Sequence, residues 1–210
     1  MALCEKLLAG CIGADCDNPV FAGMESKAWI FNKSEVASLT YDQTNPNLVT
    51  AITMKTHEVD NSDVAYTGYT ISQLGKTPFT GTNTALVEGN AANKFTETFN
   101  FVVPDNSPTA AMLLDNIANG KFIVVAQNQY DGYDHQGAFQ VYGAKKGLVA
   151  TAMERDAYSE DNDGGWAVTL TSENTPNSAL FIEHKTGTDV DTESYLDGLV
   201  ACPTPTPATT

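Results

Sequence analysis

The amino-acid sequence predicts a mainly β protein, a β-sandwich or barrel with one docked α-helix at about residues 108–119. Three observations lead there. Charged residues form 18% of the chain against 42% hydrophobic, and the balance falls to Thr, Asn, Ser and Gly, a mixture suited to short strands and many turns. Apolar and polar residues alternate over stretch after stretch of ordinary strand length, roughly eight to ten in all. Only one segment carries apolar residues at helical spacing, and nowhere do strands alternate with helices as in a βαβ protein.

The elements follow in order. After a short amphipathic start at Ala2 to Leu8, Asp17-Asn18-Pro19 marks a turn, and Lys27-Ala-Trp-Ile-Phe-Asn32 reads as the first strand. Asn47 to Thr56 alternates, with Leu48, Thr50, Ile52 and Met54 on one face and Val49, Ala51 and Thr53 on the other. Val64 to Ile71 is a further strand. Gly75 to Asn93 is polar, Thr- and Gly-rich and without a sustained period, which reads as a long hairpin arm or mobile loop. Lys94 to Val103 gives the strongest strand signal, with Phe95, Phe99, Phe101 and Val103 sharing a face. Glu97 interrupts that apolar face and is expected to lean out at a sheet edge.

The helix is bounded by local chemistry. Asn106 or Ser107 can cap it, Pro108 fits its first turn, and Asn119-Gly120 is expected to supply a left-handed stop. Ala111, Leu114, Ile117 and Ala118 form the expected apolar stripe, flanked by Met112 and Leu113. It runs straight into Lys121-Phe-Ile-Val-Val-Ala126, a continuous apolar run typical of a buried strand. Beyond a turn at Asp131-Gly132, Ala138 to Tyr142 and Leu148 to Met153 bracket Gly143-Ala-Lys-Lys-Gly147, read as a hairpin with a basic tip. Trp166, Val168 and Leu170 alternate with Ala167, Thr169 and Thr171, and Ala179 to Ile182 is a last short strand. The domain organisation is an N-terminal arm over 1–24, the β domain over 25–200, and a polyproline-like Pro/Thr tail over 201–210.

Charge narrows the function. There are 26 acidic residues against 11 basic ones, a formal net charge of −15, and Arg155 is the only arginine. Tight nucleic-acid binding needs clustered cations and bidentate arginine, so it is not expected. No run approaches the roughly 20 apolar residues of a membrane span, and no membrane partner is expected. Leu8-Ala9-Gly10-Cys11 imitates a lipoprotein cleavage box, but Glu5 and Lys6 interrupt the lead before it. Cys4, Cys11, Cys16 and Cys202 lack the paired spacing of a structural zinc site and read as free or terminus-tying thiols.

The common catalytic patterns are missing: a Gly-x-Ser-x-Gly elbow, a phosphate-binding glycine loop, a dinucleotide fingerprint and a His-Glu-x2-His helix. No enzyme is expected, and no cofactor other than a calcium ion. His57, His135 and His184 are scattered and read as structural or solvated, since neighbouring residues on a strand such as His57-Glu58 and Glu183-His184 point to opposite faces. The acidic stretch around Asp161-Asn162-Asp163-Gly164 offers alternating oxygens before a turn glycine, which makes Asp161 and Asp163 candidate calcium ligands or a solvated acidic turn. Tyr130, Tyr133, Tyr142 and Trp166 could line a sugar platform or belong to the core.

What remains are features of assembly. The layout carried by Lys27 to Asn32, the strand Phe95 to Val103, the helix-to-strand unit Pro108 to Ala126 and Asp163-Gly-Gly-Trp-Ala-Val-Thr-Leu-Thr-Ser172 resembles the tail tube structural proteins of tailed bacteriophages. The resemblance is one of layout over most of residues 25–185. It implies a virion structural protein, assembled in the bacterial host cytoplasm, that closes into rings stacked as a tube and meets other virion proteins. An acidic lumen would then let DNA slide without sticking. Two alternatives share the composition: a head, neck or decoration protein of the same particle, and a secreted β-sandwich module binding carbohydrate or calcium.

Overall fold

The computed structural model describes residues 22–73, 77–130 and 136–201. The four cysteines, the arm up to residue 21, the turn at Asp131-Gly132 with Tyr133 and His135, and the Pro/Thr tail from Cys202 lie outside the described residues. In chain order the elements are β1 (Met24–Asn32), β2 (Val36–Tyr41), β3 (Leu48–Met54), β4 (Thr56–Val59), β5 (Ser62–Ala65), β6 (Tyr69–Ser72), β7 (Phe79–Val87), β8 (Lys94–Val103), α1 (Pro108–Asn119), β9 (Phe122–Asn128), β10 (Phe139–Tyr142), β11 (Val149–Arg155), β12 (Trp166–Thr175), β13 (Leu180–Ile182), β14 (Lys185–Thr186), β15 (Asp189–Val190) and α2 (Thr192–Gly198).

Two sheets form a sandwich. The larger has seven strands in the order β2-β3-β13-β10-β9-β1-β6, and the smaller has four in the order β11-β12-β8-β7. The pairs β4–β5 and β14–β15 stand apart as two-stranded ribbons. The continuous apolar run of β9 explains the layering, because its two faces feed two cores. Phe122, Val124 and Ala126 join Phe99, Phe101, Val168 and Leu170 between the sheets, while Ile123 and Val125 join Trp29, Phe31, Val141 and Leu180 on the far face. That second core is closed by Leu196 of α2, with Tyr195, Leu199 and Val200 packed around it. Burying apolar surface on both faces of the larger sheet is what makes its central strands apolar throughout rather than alternating.

Helix α1 begins as its sequence dictates: the Ser107 hydroxyl oxygen accepts from the Ala110 N–H at 3.1 Å. Its inward stripe is Ala110, Leu114 and Ile117, so the expected stripe is displaced: Ala111 and Ala118 are exposed, as are Met112 at 62% and Leu113 at 51%. The helix ends differently from expectation too. Gly120 is extended (φ −88°, ψ 170°) rather than left-handed. Glycine is needed there because a Cβ would lie 2.1 Å from the Phe122 ring.

Four further expectations are refined or revised. Of the two readings of Gly75 to Asn93, the hairpin arm holds: β7 pairs antiparallel with β8 from Phe79 to Val87, which makes that stretch an ordered strand. Its exposed side chains are Thr80, Asn83, Thr84, Ala85 and Leu86, a mixture without a period of two. Val64 to Ile71 is two strands in different sheets, parted where Gly68 presses on the Phe31 ring. The segment Gly143 to Gly147 is not a hairpin, because β10 belongs to the larger sheet and β11 to the smaller one. It is a crossover, and Gly143 (φ +73°) and Gly147 (φ +82°) take the left-handed conformations that carry the chain between layers.

Glu97 is the fourth revision. Its strand β8 lies inside the smaller sheet between β12 and β7, and the residue is 4% exposed. The carboxylate reaches the other layer: Oε2 accepts from the Gly143 N–H at 2.7 Å, while Oε1 accepts from the Thr175 hydroxyl at 3.4 Å. Burial pushes the Glu97 carboxyl up, and the bonds from Gly143 and Thr175 oppose the shift. Close by, burial pushes the Tyr142 phenol up to about 12, with a bond to Thr82 opposing and the Glu97 charge adding.

A carboxyl whose pKa is raised by folding favours the folded state below its unfolded value near 4.5 and loses that contribution as the pH rises through the folded value. Glu97→Gln keeps an acceptor for Gly143 and removes the charge. Urea unfolding across pH is expected to show this variant gaining on the parent as the pH rises from acid to neutral. Glu97→Ala orphans the Gly143 N–H and is expected to cost roughly 1–3 kcal/mol.

Candidate functional site

Two of the three histidines lie among the described residues, and both pack against tyrosine rings. The His184 ring stacks on Tyr195, with centroids 3.8 Å apart, and its Nδ1 donates to the Thr50 carbonyl at 2.9 Å. The Tyr195 hydroxyl accepts from the Ile52 N–H at 2.8 Å and donates to the Ile52 carbonyl at 2.7 Å. Together these two rings satisfy the backbone of β3 beyond the end of short β13, which pairs only with Leu48 and Val49. His57 packs its ring 4.3 Å from that of Tyr66. Glu183 is buried and pairs with Lys185, and the carboxylate that His184 Nε2 approaches is that of Asp191, at 4.0 Å. Tyr142 is buried between the sheets and Trp166 packs against the same core, so these two do not make a sugar platform.

Asp161 and Asp163 sit in an exposed turn that closes on itself. Gly164 N–H donates to the Ser159 carbonyl at 3.0 Å, Gly165 N–H to the Asn162 carbonyl at 2.8 Å, and Arg155 Nε to the Gly164 carbonyl at 3.1 Å. Both carboxylates face solvent. Among the described residues no group of three or more His, Cys, Asp or Glu is placed to hold a metal ion.

The surface is organised by charge. Lys33, Lys55, Lys121, Lys145 and Lys146 gather at one corner, drawn from the β1–β2 turn, the end of β3, the start of β9 and the crossover. Lys33 Nζ donates to the Ala144 carbonyl at 2.7 Å, and its N–H to the Lys121 carbonyl at 2.8 Å. Lys55 Nζ donates to the Ser34 carbonyl at 2.6 Å. Lys145 Nζ meets the Tyr41 hydroxyl at 2.9 Å, and Lys146 Nζ the Glu173 carbonyl at 2.8 Å. These acceptors are neutral. Burial, and then the nearby Lys145 charge, lower the Lys33 pKa. Two acids border these lysines, Glu35 in the β1–β2 turn, whose carbonyl accepts from the Lys55 N–H, and Glu173, whose carbonyl holds Lys146.

The ribbon β4–β5 is its opposite. Glu58-Val-Asp-Asn-Ser-Asp63 folds over a two-residue turn in which Asp60 (φ 51°) and Asn61 (φ 61°) are left-handed, the conformation that hairpin turns of this length require. Glu58 stands directly across from Asp63, a like-charged cross-strand pair that weakens an isolated ribbon. Val59 and Val64 are exposed on the same ribbon. Elsewhere β2, β6, β7 and β11 are the outer strands of the two sheets, with Leu86 and Val149 exposed on two of them. The ribbon had a readable signal in Asp60-Asn61 between two valines. Of the lysine corner only the basic tip Lys145-Lys146 is readable, since the other lysines come from separate segments.

Two outcomes follow from this geometry. Tyr195→Phe removes both partners of the Ile52 backbone and is expected to lower stability by roughly 1–3 kcal/mol in urea titration, with the fold retained. Calcium takes six to eight oxygens, so with two exposed carboxylates at the turn, millimolar calcium is expected to leave Tm unchanged. A calcium-dependent rise that Asp161→Asn with Asp163→Asn abolishes would instead establish the turn as an ion site. Compared with known proteins, the chain matches no family model, no curated protein and no solved structure.

Proposed function

We propose that the protein is a structural subunit that assembles with copies of itself, a tail tube protein of a phage virion, closing into rings that stack around an acidic lumen. The observation that carries the self-association is the segregation of charge. The acidic ribbon sets Glu58 directly across from Asp63, a like-charged pair, and the lysine corner on the same chain is its complement in charge. A contact between two different patches of identical subunits is head-to-tail, and head-to-tail contacts generate rings when the rotation closes and filaments when it does not.

The rest of the surface supports the tube. With a net charge of −15, copies repel unless opposite patches meet, which selects one docking mode over casual aggregation. Carboxylates left lining a channel would repel a passing polyanion, keeping DNA moving rather than bound. His57 and His184, packed on tyrosine rings, and the buried Glu97 hold the scaffold together.

Negative-stain electron microscopy at rising concentration, in low and high salt, tests this reading. Rings or hollow tubes are expected in low salt and dispersal in high salt, since exposed charge pairs are screened beyond a Debye length. Lys145→Glu with Lys146→Glu is expected to abolish assembly, as is Asp60→Lys with Asp63→Lys. Mixing the two variants is expected to restore assembly, because the acidic corner of one meets the basic ribbon of the other and its acidic ribbon meets the other's basic corner. A protein monomeric at every concentration, or rings indifferent to these reversals, would overturn the reading.

A further inference from the structure

An apolar recess of about 510 Å³ opens between the two sheets beside the outer strand β6. Tyr69 and Ile71 of β6 line one wall, Val103 and Pro104 at the end of β8 the other, and Leu113 and Ile117 of α1 the floor. Tyr69 and Leu113 are each 51% exposed, and among the described residues no charged side chain lines the recess. That is unusual on a chain of net charge −15. An occupant must therefore be apolar or neutral, because a charged one would be desolvated without a partner.

The chain itself leads to this recess. Val200 forms a parallel bridge with Gly68, the residue before β6, through the Gly68 N–H to the Leu199 carbonyl at 2.8 Å and the Ala201 N–H to the Gly68 carbonyl at 3.1 Å. The chain at Ala201 is thus heading along the outer edge of β6, in the same direction, toward Tyr69 and Ile71. We propose that the recess is the docking site of the chain's own Cys202–Thr210 segment, which lies along β6 as a polyproline-type strap. This inference does not depend on the assembly reading.

The chemistry of that segment suits the site. Cys-Pro-Thr-Pro-Thr-Pro-Ala-Thr-Thr has no charged side chain. In the parallel ladder begun by Leu199 and Ala201, every second residue faces β6, and the next such positions are 203, 205 and 207. All three are proline. Lacking N–H groups, they cannot lengthen the sheet, so the segment passes β6 as a strap held by ring contacts rather than by backbone bonds. Pro203 also biases Cys202 toward the extended conformation that keeps the chain on this course. At about 3.1 Å per residue the strap reaches about 28 Å, ample for the roughly 13 Å of β6. Tyr69 offers the aromatic surface on which proline rings pack in such recognition. A strap of prolines would also prevent another chain from pairing with β6.

The test is disulfide trapping in the full chain with Cys4, Cys11 and Cys16 replaced by Ser. Two residues beyond the Gly68–Val200 bridge, Thr70 comes opposite Cys202. Thr70→Cys is expected to form an intrachain disulfide under mild oxidation, found by peptide mass mapping, whereas Ser38→Cys on the far edge strand β2 is expected to form none. Deleting residues 202–210 gives a second readout that needs no substitution in the fold. Methyl resonances of Ile71 and Leu113 are expected to shift, and to return when the peptide Ser-Pro-Thr-Pro-Thr-Pro-Ala-Thr-Thr is added. Methyl resonances unmoved by the deletion would overturn the proposal. So would a disulfide found only between chains, which would make a second copy the occupant.

Discussion

Glu97 reaches from the middle of one sheet to the backbone of the other. Its bond to the Gly143 N–H falls at the point where the chain crosses between layers, so a single carboxylate fixes β8 against the crossover that joins β10 to β11. A buried charge without a partner costs several kcal/mol, and this one is tolerated because Gly143 and Thr175 each direct a proton toward it. The interaction is directional where the surrounding phenylalanines are not. Sliding the layers by a residue would break the contact of the Phe99 ring with Tyr142 and, with it, the hydrogen bond from Gly143. Gly143 can accept the role because its left-handed backbone brings the N–H close with no side chain in the way.

The far face of the larger sheet is closed by a different device. Helix α2 is short, yet it is clamped by Lys27 to Asp197 at 2.6 Å, by Trp29 Nε1 to Asp197 at 2.9 Å, and by Tyr195 on the β3 backbone. Polar anchors at its ends let a seven-residue helix cover the second core, for which its own propensity would be insufficient. With both cores closed and His57 and His184 packed against tyrosines, most of the charge of the described residues is on the surface. It includes a lysine corner and an acidic ribbon, the two patches on which the proposed self-association rests.

Much of the scaffold is legible in the residues, and the misses share a cause. β8, β9 and β12 announce themselves by period and by apolar runs, and α1 by Ser107, Pro108 and its spaced apolar side chains. The position of Glu97 was misjudged because β7, which makes β8 an interior strand, is built from Thr, Gly and Asn whose pairing lies in backbone bonds rather than in side-chain hydrophobicity. Gly143 to Gly147 carries turn chemistry that serves a hairpin and a crossover equally well, and only the partners of β10 and β11, remote in sequence, decide between them. Helix α2 is too short to display a period. Of the charged surfaces, the ribbon was present locally in Asp60-Asn61, while the corner exists only once Lys33, Lys55, Lys121 and Lys145 are brought together by the sheets.

The central claim is that opposite patches of identical chains attract one another strongly enough to overcome a net charge of −15. Sedimentation velocity of the purified full-length protein, run over a wide concentration range at low and high salt, measures that attraction directly. The account predicts a concentration-dependent passage from monomer to a discrete larger species at low salt, reversed by added salt. A single monomer-sized boundary at every concentration and every ionic strength would contradict it.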